Sequence, residues 1–447
     1  CSLIDTAVAR VGTRIARSRV VVVLMVRVLF ERTARFGAVQ AGTHQQCAVG
    51  GSTGSRPGRM PLLLLAVTVA ATGSSTLALH GVDEEPRISL VFTEAEVKNC
   101  TRIRTPSLAF NPAKGTAHVV ARCCGANQCS SKPPGPKAVA AQLGDNDADA
   151  RVIMKTSSDS GASWGRLQTL SPSGQTSYAN GQAIYDVKRG ALVVQYNYIP
   201  RGNTKGVYNT TFWQITSTDD GVTWSSPTDI THYLAKCNTN ISNMQVGTAG
   251  SKLQTRSGRL VFAGHDHADH VCVWYSDDGG LSYTTAPMIE GNEVSIALGA
   301  GDNSLYMNGR GGSRFGKHRT DYWSTDNGAT WSRGMRSELI EDASGGCEAS
   351  LLTVGGAIIF LEPTGEDRTA MRASCSRDGG KTWTSSAGVN GDARGGYSDM
   401  KELPGGKILA VWEDGSHPLS SSSSADPPPD LDSGNFFAMQ LATAWCK

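Results

Sequence analysis

From residue 86 onward the chain reads as short apolar runs cut by polar, turn-forming clusters. The opening run covers 86–97 and carries Ile88, Leu90, Val91 and Phe92. Further runs fall at 152–155, 191–196, 212–216, 260–263, 271–275, 357–361 and 408–412. Gly, Asp and Ser clusters separate them, and no long segment repeats its apolar residues at the helical period of about 3.6. This pattern predicts many short strands joined by tight turns.

The turns themselves repeat. Ser157, Asp159, Gly161 and Trp164 spell S-x-D-x-G-x-x-W, and the same spacing returns at Ser217–Trp224, Ser276–Tyr283, Ser324–Trp331 and Ser376–Trp383. Successive copies start 48 to 60 residues apart, too regular for chance matches. Asp folds its carboxylate back onto the amides of the turn, and Gly takes a backbone conformation that a side chain would block. The aromatic residue starts the returning strand and is expected to pack its ring in the blade. A period of about 50 residues suits one four-stranded propeller blade, so these turns mark fold rather than catalysis.

Five blades follow directly from the turns. A sixth is expected from strands near 398–414 and 435–446, closed by an N-terminal strand so that the sheet edges are protected. The predicted fold class is therefore all-β, a six-bladed β-propeller over residues 79–447. Two segments, 123–137 and the Ser- and Pro-rich 418–433, read as loops.

Charge changes the picture only after the chain is divided. The 447 residues carry a formal charge of +2, but residues 1–59 hold nine Arg against Asp5 and Glu31. The remainder has 33 basic and 38 acidic side chains, which does not indicate a nucleic-acid partner. Residues 1–59 are expected to be a non-native extension of the reading frame or an Arg-rich targeting region. Met60 then opens a secretory signal pattern over 60–78, with a short apolar run after Arg56 and Arg59 and cleavage expected near Ala78. That run is too short to span a membrane. The mature chain is expected to be secreted or lumenal, in a lysosomal or extracellular setting. Nine cysteines follow Ala78: Cys100, Cys123, Cys124, Cys129, Cys237, Cys272, Cys347, Cys375 and Cys446. Some should pair in an oxidising compartment, one is left over, and sequence does not give the connectivity. Asn99, Asn209 and Asn240 head glycosylation triplets.

Strings outside the turns carry the candidate chemistry. They are Arg102-Ile-Arg104-Thr-Pro106, Asn292-Glu293, Met307-Asn308-Gly-Arg310, Cys347-Glu-Ala-Ser350, Arg368 eight residues before Ser376, Gly395-Gly-Tyr397-Ser-Asp399, and Trp412-Glu413. In this order they resemble the sialidases, six-bladed propeller glycosidases with Asp-box turns that remove terminal sialic acids. Asn435-Phe-Phe-Ala-Met and Trp445 resemble that family's closing strand. Ile103 and Thr105 depart from its usual Tyr and Ile, and Arg102 competes with Arg104 for the first arginine.

The resemblance implies roles that elementary chemistry supports. Arg104, Arg310 and Arg368 match a triad that binds the substrate carboxylate, for which guanidinium forks are suited. Tyr397 matches the nucleophile. A phenol, with an ordinary pKa of about 10, needs a carboxylate to take its proton, and Glu293 matches that base. Glu413 matches a residue that orients Arg104. Asp145, twelve residues before Ser157, is expected as the acid/base, with Asp147 as runner-up. No cofactor or metal is implied: His265, His267 and His270 read as exposed loop histidines. The expected partners are sialylated glycans, glycoproteins or glycolipids, with no nucleic acid and no stable membrane span. The expected function is a retaining exo-α-sialidase. A trans-sialidase or a Kdn-type nonulosonic acid hydrolase stays open, as does an inactive sialic-acid-binding or scaffold propeller.

Overall fold

The computed structural model describes residues 88–92, 96, 100, 102–124, 150–171, 177–200, 209–237, 243–247, 249–266, 268–311, 315–340, 346–365, 368–390, 395–413, 436–443 and 445–446. The extension 1–59, the signal pattern 60–78, the Ser- and Pro-rich 418–433, Asn99, Asn240, Cys129, His267, Asn435, Asp145 and Asp147 lie outside them. Six antiparallel sheets follow one another along the chain, as the turn repeats predict. Among the described residues the only helix is the short Thr231–Leu234.

Each blade begins with its innermost strand. These are Arg102–Asn111, Ser177–Asp186, the pair Met244–Val246 and Lys252–Gln254, Val294–Leu298, Ser350–Val354 and Ser398–Leu403. In the sixth blade, Ile88–Leu90 pairs with Phe436–Leu441 and so forms the outer edge of the C-terminal sheet. Both ends of the domain thereby enter one sheet, and the ring closes as predicted.

Inner strands crowd at the axis, which explains their small polar residues. Ser107 Oγ accepts Ala183 N at 2.9 Å and Ser295 Oγ accepts Leu351 N at 2.8 Å, each tying one blade to the next. A Cβ on Gly250 would stand 2.0 Å from Ser295 Oγ, so glycine is required there. Lys252 and Asp399, both fully buried, form an ion pair across the axis, and Leu108 N donates to Asp399 at 2.6 Å. Burial brings the Lys252 ammonium down to about 8 despite the nearby Asp399 charge.

Between blades lie the apolar layers. Val120, Val152 and Met154 of the first blade meet Leu192, Val194 and Ile215 of the second. The aromatic residue of each repeated turn joins such a layer, between its own blade and the one before it; Tyr283 meets Phe262 and Trp383 meets Phe360 of their own blades. Trp164 Nε1 donates to Ser89 of the sixth blade at 3.2 Å, and the Tyr283 hydroxyl accepts from Gln195 of the second blade at 2.8 Å. Cys100–Cys123, Cys237–Cys272 and Cys375–Cys446 form disulfides, while Cys347 is free and buried.

Candidate active site

Strand register divides the chemistry between the two ends of the propeller. In the first blade Arg104 pairs with Arg122 near one end, while Ala117 pairs with Ser157, the first residue of a repeated turn, at the other. The Asp-box turns and the arginines therefore occupy opposite faces. Segments that precede an inner strand, or follow the second strand, emerge on the arginine face.

Six of the seven residues singled out for chemistry meet there. The Tyr397 hydroxyl donates to Glu293 Oε1 at 2.6 Å, and Arg310 Nη1 donates to Glu293 Oε2 at 2.6 Å. Arg310 Nη1 also stands 3.4 Å from the Tyr397 oxygen. The guanidinium carbons of Arg104 and Arg368 lie 5.2 and 5.6 Å from the Tyr397 ring centre. Glu413 Oε1 is 3.6 Å from Arg104 Nε and accepts Thr105 N at 2.5 Å. The seventh residue, Asp145, and its runner-up Asp147 belong to the connection from Cys124 to Ala150. Cys124, the last described residue before it, ends the second strand of the first blade beyond Arg122, and Asp145 and Asp147 lie outside the described residues.

Local backbone explains the placements. Gly396 precedes Tyr397 because a Cβ there would press within 3.0 Å of Glu413 Oε2, while Glu413 N donates to Tyr397 O at 2.9 Å. Thr105, Glu293 and Arg368 have φ of 60°, 33° and 54°, a region that non-glycine residues occupy at an energetic penalty. Strain thus gathers at three positions of this one cluster. Arg368 is further fixed by Nη2 donating to Gly346 O at 2.6 Å, while its buried Nε has no hydrogen-bond partner among the described residues.

Burial sets the protonation states. It raises the Tyr397 phenol well above its ordinary value, and the charge of Glu293 adds to this, with the arginines pulling only partly back. Burial also pushes the Glu293 carboxyl up. Arg310, then His265, then the hydrogen bonds from Tyr397 and Arg310 outweigh it and leave that carboxyl below its usual range. Arg310 stays charged because Glu293 overcomes its own burial. The arrangement is a protonated phenol, aimed at an ionised carboxylate and ringed by three guanidinium groups.

Comparison with known proteins places the chain. A family model described as a BNR repeat-like domain matches residues 138–408. Mouse (Mus musculus) Sialidase-4 is 30% identical over 156 residues, which is 31% of this chain and 32% of that protein. The chain belongs to the sialidase family of six-bladed propellers. The match spans about a third of the mouse relative's length. Among solved structures, a Hadza microbial sialidase superposes with a TM-score of 0.62 at 20% identity, covering 78% of this chain and 67% of that one. The NanB sialidase of Streptococcus pneumoniae gives 0.62 at 13% identity, covering 80% and 71%. A leech intramolecular trans-sialidase gives 0.58 at 16% identity, covering 75% and 68%. At these identities the likeness is one of fold.

In this sialidase-family chain three residues near the site escape sequence reasoning. Cys347 packs under Tyr397, and burial pushes its thiol up to about 12, so it stays protonated. It sits within the quoted Cys-Glu-Ala-Ser string, which gives it no role. Arg122 is fully buried across the strand from Arg104, and only the strand register reveals the pairing. His265 corrects an expectation. It and His270 lie in the facing strands Leu260–Asp266 and His270–Ser276, half-buried rather than exposed in a loop. His270 Nδ1 pairs with Asp266 at 3.0 Å, and the charge of His265 helps hold the Glu293 carboxyl low. A cavity of about 320 Å³ opens at the far end of the axis, lined by Phe110, Ile184, Ile296 and Lys401. It contains none of the candidate catalytic groups.

Proposed function

We propose that this chain is an exo-α-sialidase that hydrolyses terminal sialic acids from glycoconjugates with retention at the anomeric carbon. The observation that carries this reading is the 2.6 Å hydrogen bond from Tyr397 to Glu293, set among Arg104, Arg310 and Arg368. A sialic acid bears a carboxylate on its anomeric carbon. The buried Arg368 Nε, without an acceptor among the described residues, is a donor suited to that anion. The guanidinium groups would hold the carboxylate over the phenol.

The chemistry then runs in two halves. The Tyr397 oxygen bonds to the anomeric carbon as the glycosidic bond breaks, and the phenol proton passes to Glu293. Asp145, by resemblance, gives its proton to the departing oxygen. Water next attacks the anomeric carbon and yields its proton to Asp145, while Tyr397 leaves and recovers its proton from Glu293. A neutral nucleophile suits a substrate that is itself an anion, and Tyr is a known exception to the two-carboxylate scheme. The three disulfides among the described residues suit an oxidising compartment, in keeping with a secreted or lumenal enzyme.

The test is labelling by a 2,3-difluoro sialic acid, which should modify the peptide holding Tyr397. An adduct on another residue, or no adduct with no turnover of a fluorogenic sialoside, would sink the mechanism. Product analysis with added lactose distinguishes free sialic acid from transfer to an acceptor or to the sugar's own hydroxyl.

A further inference from the structure

Arg319 stands in the strand His318–Ser324 of the fourth blade and is fully buried. A buried guanidinium is costly unless its donors find acceptors. Its Nε donates to Asn308 Oδ1 at 2.6 Å, on the adjacent strand Leu305–Gly309. Asn308 Nδ2 donates in turn to Asp321 Oδ1 at 2.7 Å, so the amide links the cation to a carboxylate of its own strand. Arg319 Nη1 reaches into the fifth blade and donates to Cys347 O at 2.9 Å. The guanidinium carbon lies 5.1 Å from the ring centre of Phe360, also of the fifth blade.

Both acceptors adjoin the site. Asn308 lies two residues before Arg310, whose backbone N donates to Asn292 O and Glu293 O at 3.1 Å each. Cys347 packs under Tyr397, and the carbonyl just before it, Gly346 O, accepts Arg368 Nη2 at 2.6 Å. Residues 346–349 precede the inner strand Ser350–Val354 and take no part in its pairing. Two of their carbonyls are instead held by side chains: Arg368 takes Gly346 O and Arg319 takes Cys347 O. One buried guanidinium thus ties the strand of Arg310 to the segment that supports Arg368 and Tyr397.

We propose that Arg319 is a positioning residue: its planar fork fixes the Cys347 segment against Asn308 and so sets where Arg310 stands relative to Arg368 and Tyr397. The proposal rests on the sialidase reading for its effect on turnover. The geometry that Arg319 sets is measurable without any substrate.

The experiment compares the full chain with its Arg319→Lys, Arg319→Gln and Phe360→Leu variants, with Asp378→Ala as a control on the remote turn face. Folding is checked by circular dichroism. Nitrogen-15 NMR reads the Nε–H signals of Arg310 and Arg368, assigned with Arg310→Lys and Arg368→Lys. Both signals should shift in Arg319→Gln and also in Arg319→Lys, which keeps the charge but lacks the fork, and should stay in place in Asp378→Ala. On a sialoside, kcat/KM should fall on the order of 10²-fold in Arg319→Gln, the cost of a slight misplacement of binding groups. Unmoved signals in a folded Arg319→Lys overturn the proposal, however far its thermal midpoint drops, and so does an unchanged kcat/KM in Arg319→Gln beside an active wild type. If neither Arg319 variant folds, Phe360→Leu, which removes only the stacked ring, decides by the same signals. If the signals shift as stated yet wild type cleaves no sialoside, the functional reading fails and the positioning stands.

Discussion

The two ends of this propeller are built on different principles. At one end five turns repeat a single geometry. The Ser hydroxyl accepts the Gly amide at 2.8, 2.8, 2.7, 2.9 and 2.9 Å, and each Asp accepts the amide of the residue four positions after it at 2.8 to 3.0 Å. Those bonds span four residues at most. At the other end Tyr397 and Glu293 are 104 residues apart in sequence, and Thr105 and Glu413 are 308 apart. Repetition at one face makes the blades alike, and that frame lets the opposite face gather different side chains from four of the blades.

The comparison breaks or sharpens under mutation. The largest effect is expected for Tyr397→Phe, which deletes one oxygen that neither packs the core nor closes a turn. Turnover should fall on the order of 10³-fold or more, with the thermal midpoint nearly unchanged. Full activity in that variant would remove the residue from the chemistry. Glu293→Gln should fall comparably, since an amide takes no proton.

Next come the arginines. Arg368→Ala and Arg310→Ala should each lose about 2–4 kcal/mol of transition-state stabilisation, read from kcat/KM. Arg368→Lys should recover part of it, because an ammonium lacks the planar fork. Equal efficiency in wild type and Arg368→Ala would detach the clamp from catalysis.

Smaller effects are expected at the turn face, and of a different kind. Asp378→Ala removes an acceptor for Lys381 N, Thr382 N and the Thr382 hydroxyl. In this solvent-screened turn the loss should be about 1 kcal/mol of stability, visible in denaturant melts, while kcat/KM holds. A kinetic defect with unchanged stability would reverse the division of labour between the faces.

Acid should act on the turn face in a graded way. Slight burial opposes ionisation of Asp278 and Asp378, but the hydroxyls and amides of Ser282 and Thr382 outweigh it and pull both carboxyls down to about 2. Folded carboxyls that bind protons less readily than unfolded ones stabilise fully above the unfolded value of about 3.9. Their contribution is lost as pH falls from there toward about 2. Thermal midpoints measured across that window should drop less steeply in an Asp278→Asn, Asp378→Asn double variant than in wild type.

These differences follow how far each interaction reaches along the chain. The repeated turns were legible because Ser, Asp, Gly and the aromatic residue act within eight positions of one another. Their number and period pointed to five of the six blades, and the apolar runs pointed to the strands, the terminal ones completing the sixth. The arginines, Glu293, Tyr397 and Glu413 were legible only as strings resembling a family, since nothing local says that residues hundreds apart will touch. The structure brings those six together. It also decides what no string announced. Cys347 lies under the phenol, Arg122 stands beside Arg104, and each turn's aromatic ring joins a layer shared with the blade before it. His265 read as a loop residue because its Gly-His-Asp surroundings look like a turn, whereas strand pairing extends through it. By itself the sequence determined the turns, the blade count and the residue types available for chemistry, because those depend on near neighbours. Only the closed ring decided which side chains share a site and which protonation states they hold, because burial and charge depend on what other blades bring within a few ångströms.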